Sequence, residues 1–253
     1  MGNVIVLSDF VGSADVAMAV SRAVLSRMGH RALCLPTALI SGIWSQGTPA
    51  QWDTTDYLRA ALDSWERQGI RADGVLIGYL AGEAQAEFLA GQCARWREAG
   101  AKIFLDPVFA DNGRLYRGIG QERLALLRDM LKWADYVLPN ATEAQFLTGL
   151  SEPVSAAEAI CRMGAGTALI TGVGGKCVVL ADREGTHTLP YDPVPGSFSG
   201  AGDAFAAAFA GGILREDTAA RSAQNAISTL GDWLSRLAAQ PESGIGLPVE
   251  RLF

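Results

Sequence analysis

Short apolar runs of strand length alternate with segments of helical period along the first part of the chain. The first run, NVIVL at residues 3–7, precedes a glycine-containing loop and a helical stretch from Ser13 to Met28. Further strands begin at Ala32, Gly74, Lys102 and Asp135, and further helices span residues 54–68, 83–98 and 121–132. This alternation predicts the α/β class, with a mainly parallel central sheet covered by helices on both faces.

The pattern changes after Pro153. A helix to Met163 precedes TALIT, and two consecutive strands, KCVVLAD and GTHTLP, are joined by a turn at 183–185. These two strands predict an antiparallel edge on the sheet. The stretch from Ser199 to Ala239 is almost entirely helical. Because no repeat and no linker rich in Pro, Gly and Ser divides the chain, we expect a single domain over all residues.

Composition narrows the class of protein. Hydrophobic residues make up 49% of the 253 residues and charged residues 19%, a balance typical of folded globular chains. The formal net charge is −6 and Lys and Arg form no basic stripe, which disfavours nucleic acid as a partner. No apolar stretch reaches the roughly 18 residues that a membrane span needs, so we expect a soluble, cytoplasmic protein. The cysteines and histidines are scattered, which disfavours a zinc enzyme or a Ser-His-Asp hydrolase.

The predicted topology selects candidate site residues. In open parallel sheets, ligands bind beyond the carboxyl ends of the strands. The polar residues expected near those ends are Ser8, Asp9, Thr37, Tyr79, Asp106, Asn140, Glu143, Thr171 and Asp203.

Residues 199–213, SGAGDAFAAAFAGGI, place one carboxylate at the start of an apolar helix. Ser199 can cap that helix, and Asp203 in its first turn can face the positive end of the helix dipole without any further function. Alternatively, the glycines expose backbone N–H groups to an anion while Asp203 acts beside it as a base. The local sequence leaves both interpretations open.

Three further motifs also admit two interpretations. In LDPVFADNGRLY, Asp106 either belongs to a turn-rich loop or holds a metal ion. In LPNATEAQFLTG, Asn140 and Glu143 form a capping-box pattern that also directs an amide and a carboxylate toward the strand ends. TGVGGK at 171–176 lacks the Ser or Thr that follows the lysine of a Walker A loop, so its glycines either form a turn or let amides approach a nucleotide phosphate.

SGAGDAF resembles the C-terminal signature of the ribokinase-like, or PfkB, kinases. Within that superfamily, VLSDFVGS, GYLAGEAQAEF, DPVFADNGRLY and PNATEAQFLTG are similar to segments of pyridoxal kinases, in the same order and over nearly the whole chain. The GAGD turn marks only the superfamily, whereas GYL together with DPV…GRLY is specific to the pyridoxal kinases. The resemblance implies a ribokinase-like fold and ATP-dependent phosphorylation of the hydroxymethyl group of pyridoxal, pyridoxine or pyridoxamine, which yields pyridoxal 5′-phosphate in vitamer salvage.

The resemblance also implies roles for individual residues. Asp203 matches the catalytic base, and the anion hole is matched by Gly200, Ala201 and Gly202. The substrate-binding positions are matched by Ser8, Thr37, Tyr79 and Asp203. The Mg²⁺ and phosphate network is matched by Asp106, Asn140 and Glu143, with Asp106 and Glu143 at the metal. The other nucleotide contacts are matched by Thr171, Gly172, Ser199, Gly200 and Gly202. The implied cofactors are ATP, Mg²⁺ and a monovalent cation such as K⁺, and the implied assembly is a homodimer.

Two segments depart from the family pattern. SDFVGSADVA is shorter than the usual SxVxxGYVGN form, and the flap at 38–52 only loosely matches the family's Ser-Asn-His-Thr run, so the preferred vitamer stays open. The chain lacks a large β-lid insertion of the sugar-kinase type, which favours the pyridoxal kinase branch. Two alternatives remain: a ribokinase-like kinase for a hydroxymethylpyrimidine, a nucleoside or a sugar, and a non-catalytic protein that binds pyridoxal phosphate or a nucleotide.

Overall fold

A computed structural model describes residues 1–117, 119–239 and 246–251. Within these ranges the helices are α1 (Ala17–Arg27), α2 (Thr55–Arg67), α3 (Glu83–Glu98), α4 (Gln121–Met130), α5 (Ala141–Thr148), α6 (Pro153–Arg162), α7 (Ala201–Ile213) and α8 (Ala219–Ala238). The strands are β1 (Asn3–Val11), β2 (Arg31–Ile40), β3 (Gln51–Asp53), β4 (Gly74–Ile77), β5 (Lys102–Leu105), β6 (Ala110–Asp111), β7 (Arg114–Leu115), β8 (Tyr136–Val137), β9 (Thr167–Val173), β10 (Cys177–Asp182) and β11 (Gly185–Pro190).

The strand pairing confirms the predicted α/β class, with a mostly parallel sheet. β1 pairs in parallel with β2 and with β4, and β8 pairs in parallel with β5 and with β9. β10 pairs antiparallel with β9 and with β11, which confirms the predicted edge. A further antiparallel strand, β3, lies beside β2. No helix in the described ranges has the length and apolar content that a bilayer span requires.

The first of two compact units contains residues 1–81 and 194–253, so both ends of the sequence contribute to it. Its strand order is β3-β2-β1-β4, and α7 packs on both α1 and α8. The residues of α7 from Ala204 to Ile213 are buried. Small residues let this helix approach its neighbour closely, since a Cβ on Gly212 would lie 2.7 Å from the Ser222 Oγ. The start of α7 is thereby held by close packing along the rest of the helix.

The second unit contains residues 82–193. Its strand order is β5-β8-β9-β10-β11, and β6 and β7 form a separate hairpin. α3 packs on β5, α5 packs on β9, and α6 packs on β9 and β10. The sequence-based expectation of a single domain stays a prediction.

Two strands run further than the sequence predicts. β1 continues to Val11 and β2 to Ile40, because their pairing resumes beyond an irregularity between Ser8 and Phe10. Ser8 and Asp9 therefore lie within β1 rather than in a loop that follows it. A β-bulge re-aims side chains and is frequent beside active sites.

Helix boundaries and short strands account for the other differences. α1 begins at Ala17 rather than Ser13, and residues 214–218 separate α7 from α8 where the sequence predicts nearly continuous helix. Glu216 has φ +68° in that break, a left-handed conformation that an α-helix does not contain. β3, β6 and β7 have only two or three residues each, which is too few for an alternating pattern to reveal them.

Candidate active site

The aspartate of the GAGD turn lies in the first turn of α7. Its Oδ2 accepts a 2.8 Å hydrogen bond from the backbone N–H of Ala17, the first residue of α1. Ala17 has φ +50°, a left-handed conformation that alanine rarely adopts. The Asp203 carboxylate therefore lies at the N-termini of two helices, where partial positive charge favours its ionised form.

Burial opposes that ionisation. Burial and, to a smaller extent, repulsion from the Asp9 carboxylate raise the pKa of Asp203 to about 7, although the Ala17 N–H lowers it. Burial also raises the pKa of Asp9. Asp203 keeps part of its surface exposed, so a reactant can reach it. A carboxylate with a pKa near the working pH suits general-base catalysis.

The residue that caps α7 is Gly200 rather than Ser199. Gly200 has φ +93°, and a Cβ there would lie 3.3 Å from the carbonyl oxygen of Asp15. Glycine therefore fits both the backbone conformation and the close approach of residue 15. Ser199 is exposed and precedes the cap, so the interpretation of Ser199 as the helix cap is wrong.

The first turn of α7 presents backbone amides of unequal availability. Gly202 is exposed, and the space around its Cα is open. The Ala201 N–H instead donates to the Phe198 carbonyl oxygen at 3.2 Å. An accessible helix N-terminus is a common phosphate-binding position in proteins. Of the three residues expected to form an anion hole, Ala201 is thus engaged within the turn itself.

Ser8 and Asp9 lie side by side at the irregular point of β1. Ser8 is buried, and its Oγ donates to Asp9 Oδ1 at 3.2 Å. Gly78 follows β4, and a Cβ on it would lie 2.6 Å from the Ser8 Oγ. A larger residue at position 78 would displace Ser8, which gives the glycine of GYL a physical reason. Ser8 in turn orients the carboxylate that repels Asp203.

Thr37 and Tyr79 are joined directly. The buried Thr37, within β2 rather than after it, donates from Oγ1 to the Tyr79 carbonyl oxygen at 2.6 Å. The Tyr79 hydroxyl accepts a 3.3 Å hydrogen bond from Gln51 Nε2. Gln51 belongs to β3, which pairs with β2 in the flap at 38–52. The flap therefore contacts the tyrosine that the resemblance places at the substrate.

In the second unit, Glu143 closes a network at the start of α5. Its Oε2 accepts from the Asn140 N–H at 2.8 Å, and the Asn140 Oδ1 accepts from the Glu143 N–H at 2.9 Å, a complete capping box. Its Oε1 accepts from the N–H groups of Phe109 at 3.1 Å and Ala110 at 3.4 Å. The Asn140 Nδ2 donates to the Ala110 carbonyl oxygen at 2.8 Å. The DPVFADNGRLY and PNATEAQFLTG segments thus meet at one carboxylate.

The charge of Glu143 is poorly compensated. Burial raises the pKa of Glu143 to about 8 although three amides lower it, and Asp111 adds repulsion. A positive ion nearby would favour the ionised form of such a carboxylate. Both Glu143 oxygens already accept amide N–H groups, so the side chain suits contact with a cation through bound water.

Asp106 follows β5 directly and is also buried. Its carbonyl oxygen accepts from the Val108 N–H at 2.9 Å, a turn that leads into the residues bonded to Glu143. Among the described residues, no group of three or more His, Cys, Asp or Glu side chains could cage a metal. Mg²⁺ keeps several waters and needs only one or two protein carboxylates. The donor chemistry of Asp106 and Glu143 fits that kind of site.

Thr171 and Gly172 lie near the end of β9. The Thr171 N–H donates to the Pro139 carbonyl oxygen at 2.9 Å, and residue 171 forms a parallel bridge with Asn140. Gly172 is exposed with φ +68°, just before the turn that leads to β10. The turn interpretation of TGVGGK is therefore correct, and its exposed backbone stays a predicted nucleotide contact.

Comparison with known proteins identifies the family of the chain. The family model described as phosphomethylpyrimidine kinase matches residues 24–246. The chain belongs to the phosphomethylpyrimidine kinase family. The prediction of a kinase with a ribokinase-like α/β fold is confirmed.

Pyridoxal kinases from several organisms resemble the chain over nearly its full length. The chain is 30% identical to the pyridoxal kinase of Rubrobacter xylanophilus, over 89% of this chain and 87% of that protein. The crystal structure of pyridoxal kinase from Lactobacillus plantarum has a TM-score of 0.89 at 27% identity and covers 100% of this chain and 96% of that one. Pyridoxal kinase from Leishmania donovani, in complex with ADP and pyridoxine, shares the fold with a TM-score of 0.82 at 22% identity, over 99% and 94% of the two chains. The predicted relationship to pyridoxal kinases is confirmed.

Several contacts in this family member involve residues that sequence reasoning missed. Three of the donors to the Asp203 and Glu143 carboxylates are the backbone N–H groups of Ala17, Phe109 and Ala110. Every residue except proline has such a donor, so the sequence carries no signal for them. Gln51 was missed because a polar residue in a surface flap is ordinary.

Proposed function

We propose that the protein transfers the γ-phosphoryl group of ATP to the hydroxymethyl oxygen of pyridoxal, pyridoxine or pyridoxamine. The observation that carries this proposal is the state of Asp203. It is a largely buried but reachable carboxylate with a pKa of about 7, held by the Ala17 N–H at the start of α7. A protein that only binds pyridoxal phosphate does not require a proton acceptor at this position.

In the proposed reaction, Asp203 takes the proton of the hydroxymethyl group as that oxygen bonds to the γ-phosphorus. The bond from the γ-phosphorus to the oxygen that bridges it to the β-phosphate breaks, and ADP leaves. The amides at the start of α7, above all that of Gly202, would stabilise the charge on the transferred group. Phosphoryl transfer depends mainly on such positioning and charge stabilisation.

The acceptor substrate is assigned to side chains of the first unit. Ser8, Thr37 and Tyr79 would contact the pyridine ring and its substituents. The hydrogen bonds from Ser8 to Asp9 and from Thr37 to the Tyr79 carbonyl support this role, because they hold these residues rigidly. Rigid contacts bind a flat ring with little loss of side-chain entropy.

The nucleotide is assigned to the residues that match the nucleotide contacts of pyridoxal kinases. Asp106 and Glu143 would hold Mg²⁺ through water, and the ion would screen the charge of the ATP phosphates. Asn140, Thr171 and Gly172 would contact those phosphates, as would Ser199, Gly200 and Gly202 before and within α7. A requirement for a monovalent cation such as K⁺ stays a prediction.

We also propose a homodimer in the cytoplasm, where ATP is abundant. Three exposed apolar side chains lie on neighbouring strands in register, Phe10 beside Leu39 and Leu39 beside Trp52. Such a row is typical of surfaces that bury one another between subunits. Light scattering would give the mass in solution, and a monomeric mass would contradict the dimer.

The deciding experiment is mass analysis of products. The protein is incubated with MgATP and, separately, pyridoxal, pyridoxine, pyridoxamine and a hydroxymethylpyrimidine. The family match makes the pyrimidine the specific rival substrate. A phosphorylated vitamer supports the proposal, whereas turnover of the pyrimidine alone would change the substrate and retain the kinase.

A further inference from the structure

Three chain segments of the first unit meet at one junction: residues 15–17, the segment 246–251 and the start of α7. The carbonyl oxygen of Asp15 accepts from the Leu247 N–H at 2.8 Å, and residue 15 forms a parallel bridge with Gly246. The backbone of Val249 also hydrogen-bonds the Asp15 side chain. The segment 246–251 therefore holds Asp15 through both its main chain and its carboxylate.

Two glycines make this junction possible. Gly246 has φ +92°, and a Cβ on it would overlap the Asp15 carbonyl oxygen and lie 2.6 Å from the carbonyl carbon. A Cβ on Gly200 would lie 3.3 Å from the same oxygen and 3.5 Å from the Val16 Cα. Gly200 caps α7, the helix that carries Asp203. Residues 15–16 thus pack against both the segment 246–251 and the start of the helix that holds the base.

The left-handed conformation of Ala17 indicates what this packing does. A left-handed conformation is strained for a non-glycine residue and persists only where its surroundings impose it. Here it accompanies the 2.8 Å hydrogen bond from the Ala17 N–H to Asp203 Oδ2. A segment that only anchored the chain end would not need residue 17 in that conformation.

We propose that Gly246 and Asp15 are positioning residues for Asp203, because the segment 246–251 holds residues 15–17 in the conformation that directs the Ala17 N–H at the carboxylate. The consequence for catalysis rests on the proposed role of Asp203 as the base. The geometric part, that residues near the C-terminus orient an aspartate in α7, can be measured without any turnover.

The first test compares Gly246→Ala with Gly100→Ala. Gly100 has φ +91°, close to the +92° of Gly246, but a Cβ on Gly100 meets open space. Both variants carry the same backbone strain, and only G246A disturbs Asp15. Displacement of a catalytic group by about 1 Å costs roughly 100-fold in rate, so a 10- to 100-fold loss of kcat in G246A, with the KM for MgATP within about twofold, is expected. G100A should keep the kcat of the unaltered protein.

The acidic limb of the kcat profile provides a second readout. The Ala17 N–H lowers the pKa of Asp203. Its loss in G246A should therefore move that limb to higher pH, and G100A should leave it in place. A general loss of stability would lower the amount of active protein without moving the limb.

If G246A does not fold, a second pair of variants still tests the proposal. Asp15→Ala removes the acceptor for the Val249 backbone, whereas Asp15→Asn retains an acceptor oxygen. D15A should reduce kcat by about 3- to 10-fold, the effect of one lost hydrogen bond, and D15N should restore it. Equal activity and equal pH profiles in D15A, D15N and the unaltered protein would overturn the proposal.

Carbon NMR of the Asp203 carboxyl separates this inference from the proposed function. A rise in the Asp203 pKa in G246A or D15A supports the positioning role even if the unaltered protein phosphorylates none of the vitamers. An active kinase in which these substitutions leave both the Asp203 pKa and kcat unchanged would sink the positioning role and leave the function intact.

Discussion

Asp203 in the first unit and Glu143 in the second are both desolvated carboxylates with raised pKa values, about 7 and about 8. Their surroundings differ. Both oxygens of Glu143 accept backbone N–H groups, and only 3% of the residue is exposed. Asp203 accepts one N–H from a distant residue and keeps part of its surface open.

A raised pKa therefore does not by itself mark a catalytic base. Glu143 joins the β6–β7 hairpin to α5, so its carboxylate is a structural connection that a bound cation can also use. Asp203 is held on one side and reachable on the other, which a proton acceptor requires. The number of N–H groups that each carboxylate accepts, and its exposure, distinguish a structural connection from a proposed proton acceptor.

The largest expected effect is on turnover in Asp203→Asn. The amide oxygen can still accept the Ala17 N–H, but the side chain no longer accepts a proton. Loss of general-base catalysis should reduce kcat about 10²- to 10⁴-fold, while the KM for MgATP changes little. Steady-state kinetics with pyridoxal would measure both constants, and unaltered turnover would remove Asp203 from the mechanism.

The pH dependence sharpens the same contrast. If ionised Asp203 is required, kcat should fall about tenfold per pH unit below its pKa and level off above pH 7. Protonation of Glu143 should instead weaken its proposed contact with Mg²⁺ and raise the KM for MgATP, because its carboxylate does not receive the substrate proton. A limb that persists in a slow but active D203N protein would assign it to another group.

The contribution of Asp203 to the free energy of unfolding should decrease as the pH rises, whereas kcat should increase. Between the ordinary pKa of 3.8 and about 7, folded Asp203 holds a proton that the unfolded chain releases. Its contribution to the free energy of unfolding is therefore fully present below the lower value and is lost as the pH rises to the upper one. D203N should be more stable than the unaltered protein above pH 7, and this advantage should vanish near pH 4. Thermal unfolding at several pH values would show it.

The next effect concerns the framework role of Glu143. In Glu143→Gln an NH₂ group replaces one acceptor, so a buried backbone N–H loses its partner. The free energy of unfolding should fall by about 1–3 kcal/mol. Urea unfolding would measure it, with Glu122→Gln as an exposed control in the first turn of α4. An E143Q protein of full stability would contradict this framework role, whereas a raised KM for MgATP would reflect the proposed contact with Mg²⁺.

The smallest effect is expected at Gln51. Loss of its hydrogen bond to the Tyr79 hydroxyl in Gln51→Leu should raise the KM for pyridoxal about 2- to 5-fold, the effect of one exposed hydrogen bond. The KM for MgATP should not change, since the nucleotide is assigned elsewhere. Gln46→Leu, an exposed position of the same flap, serves as the control. Equal changes in the KM values for pyridoxal and MgATP would show that Gln51 has no specific effect on binding of the vitamer.

Much of the fold was predictable because the apolar periodicity of the long elements is strong. α3 was predicted at its observed bounds, and the β10–β11 edge was recognised from two consecutive apolar runs. The extension of β1 beyond Ser8 could not be predicted, since it depends on pairing with residues of β2 about 30 positions away. Tertiary contacts of this kind override local signals.

Some features of the candidate site were likewise predictable from local sequence, whereas others depend on contacts between distant segments. Asn140 and Glu143 were predictable as a capping box because Asn-x-x-Glu acts locally. The reach of Glu143 to Phe109 and Ala110 was not, because it joins segments more than 30 residues apart. The Asp203 position was expected, but nothing in the letters of the sequence indicates that an alanine at position 17 orients it.

The 186 positions between Ala17 and Asp203 have a consequence during synthesis. At about 5–20 residues per second, a ribosome needs roughly 9–37 s to travel from one residue to the other. The second unit, continuous over residues 82–193, is translated whole in that interval, before Asp203 of α7 is added. A chain that stops between residues 193 and 203 thus carries the proposed magnesium ligands without the proposed base, and it should not transfer phosphate to a vitamer.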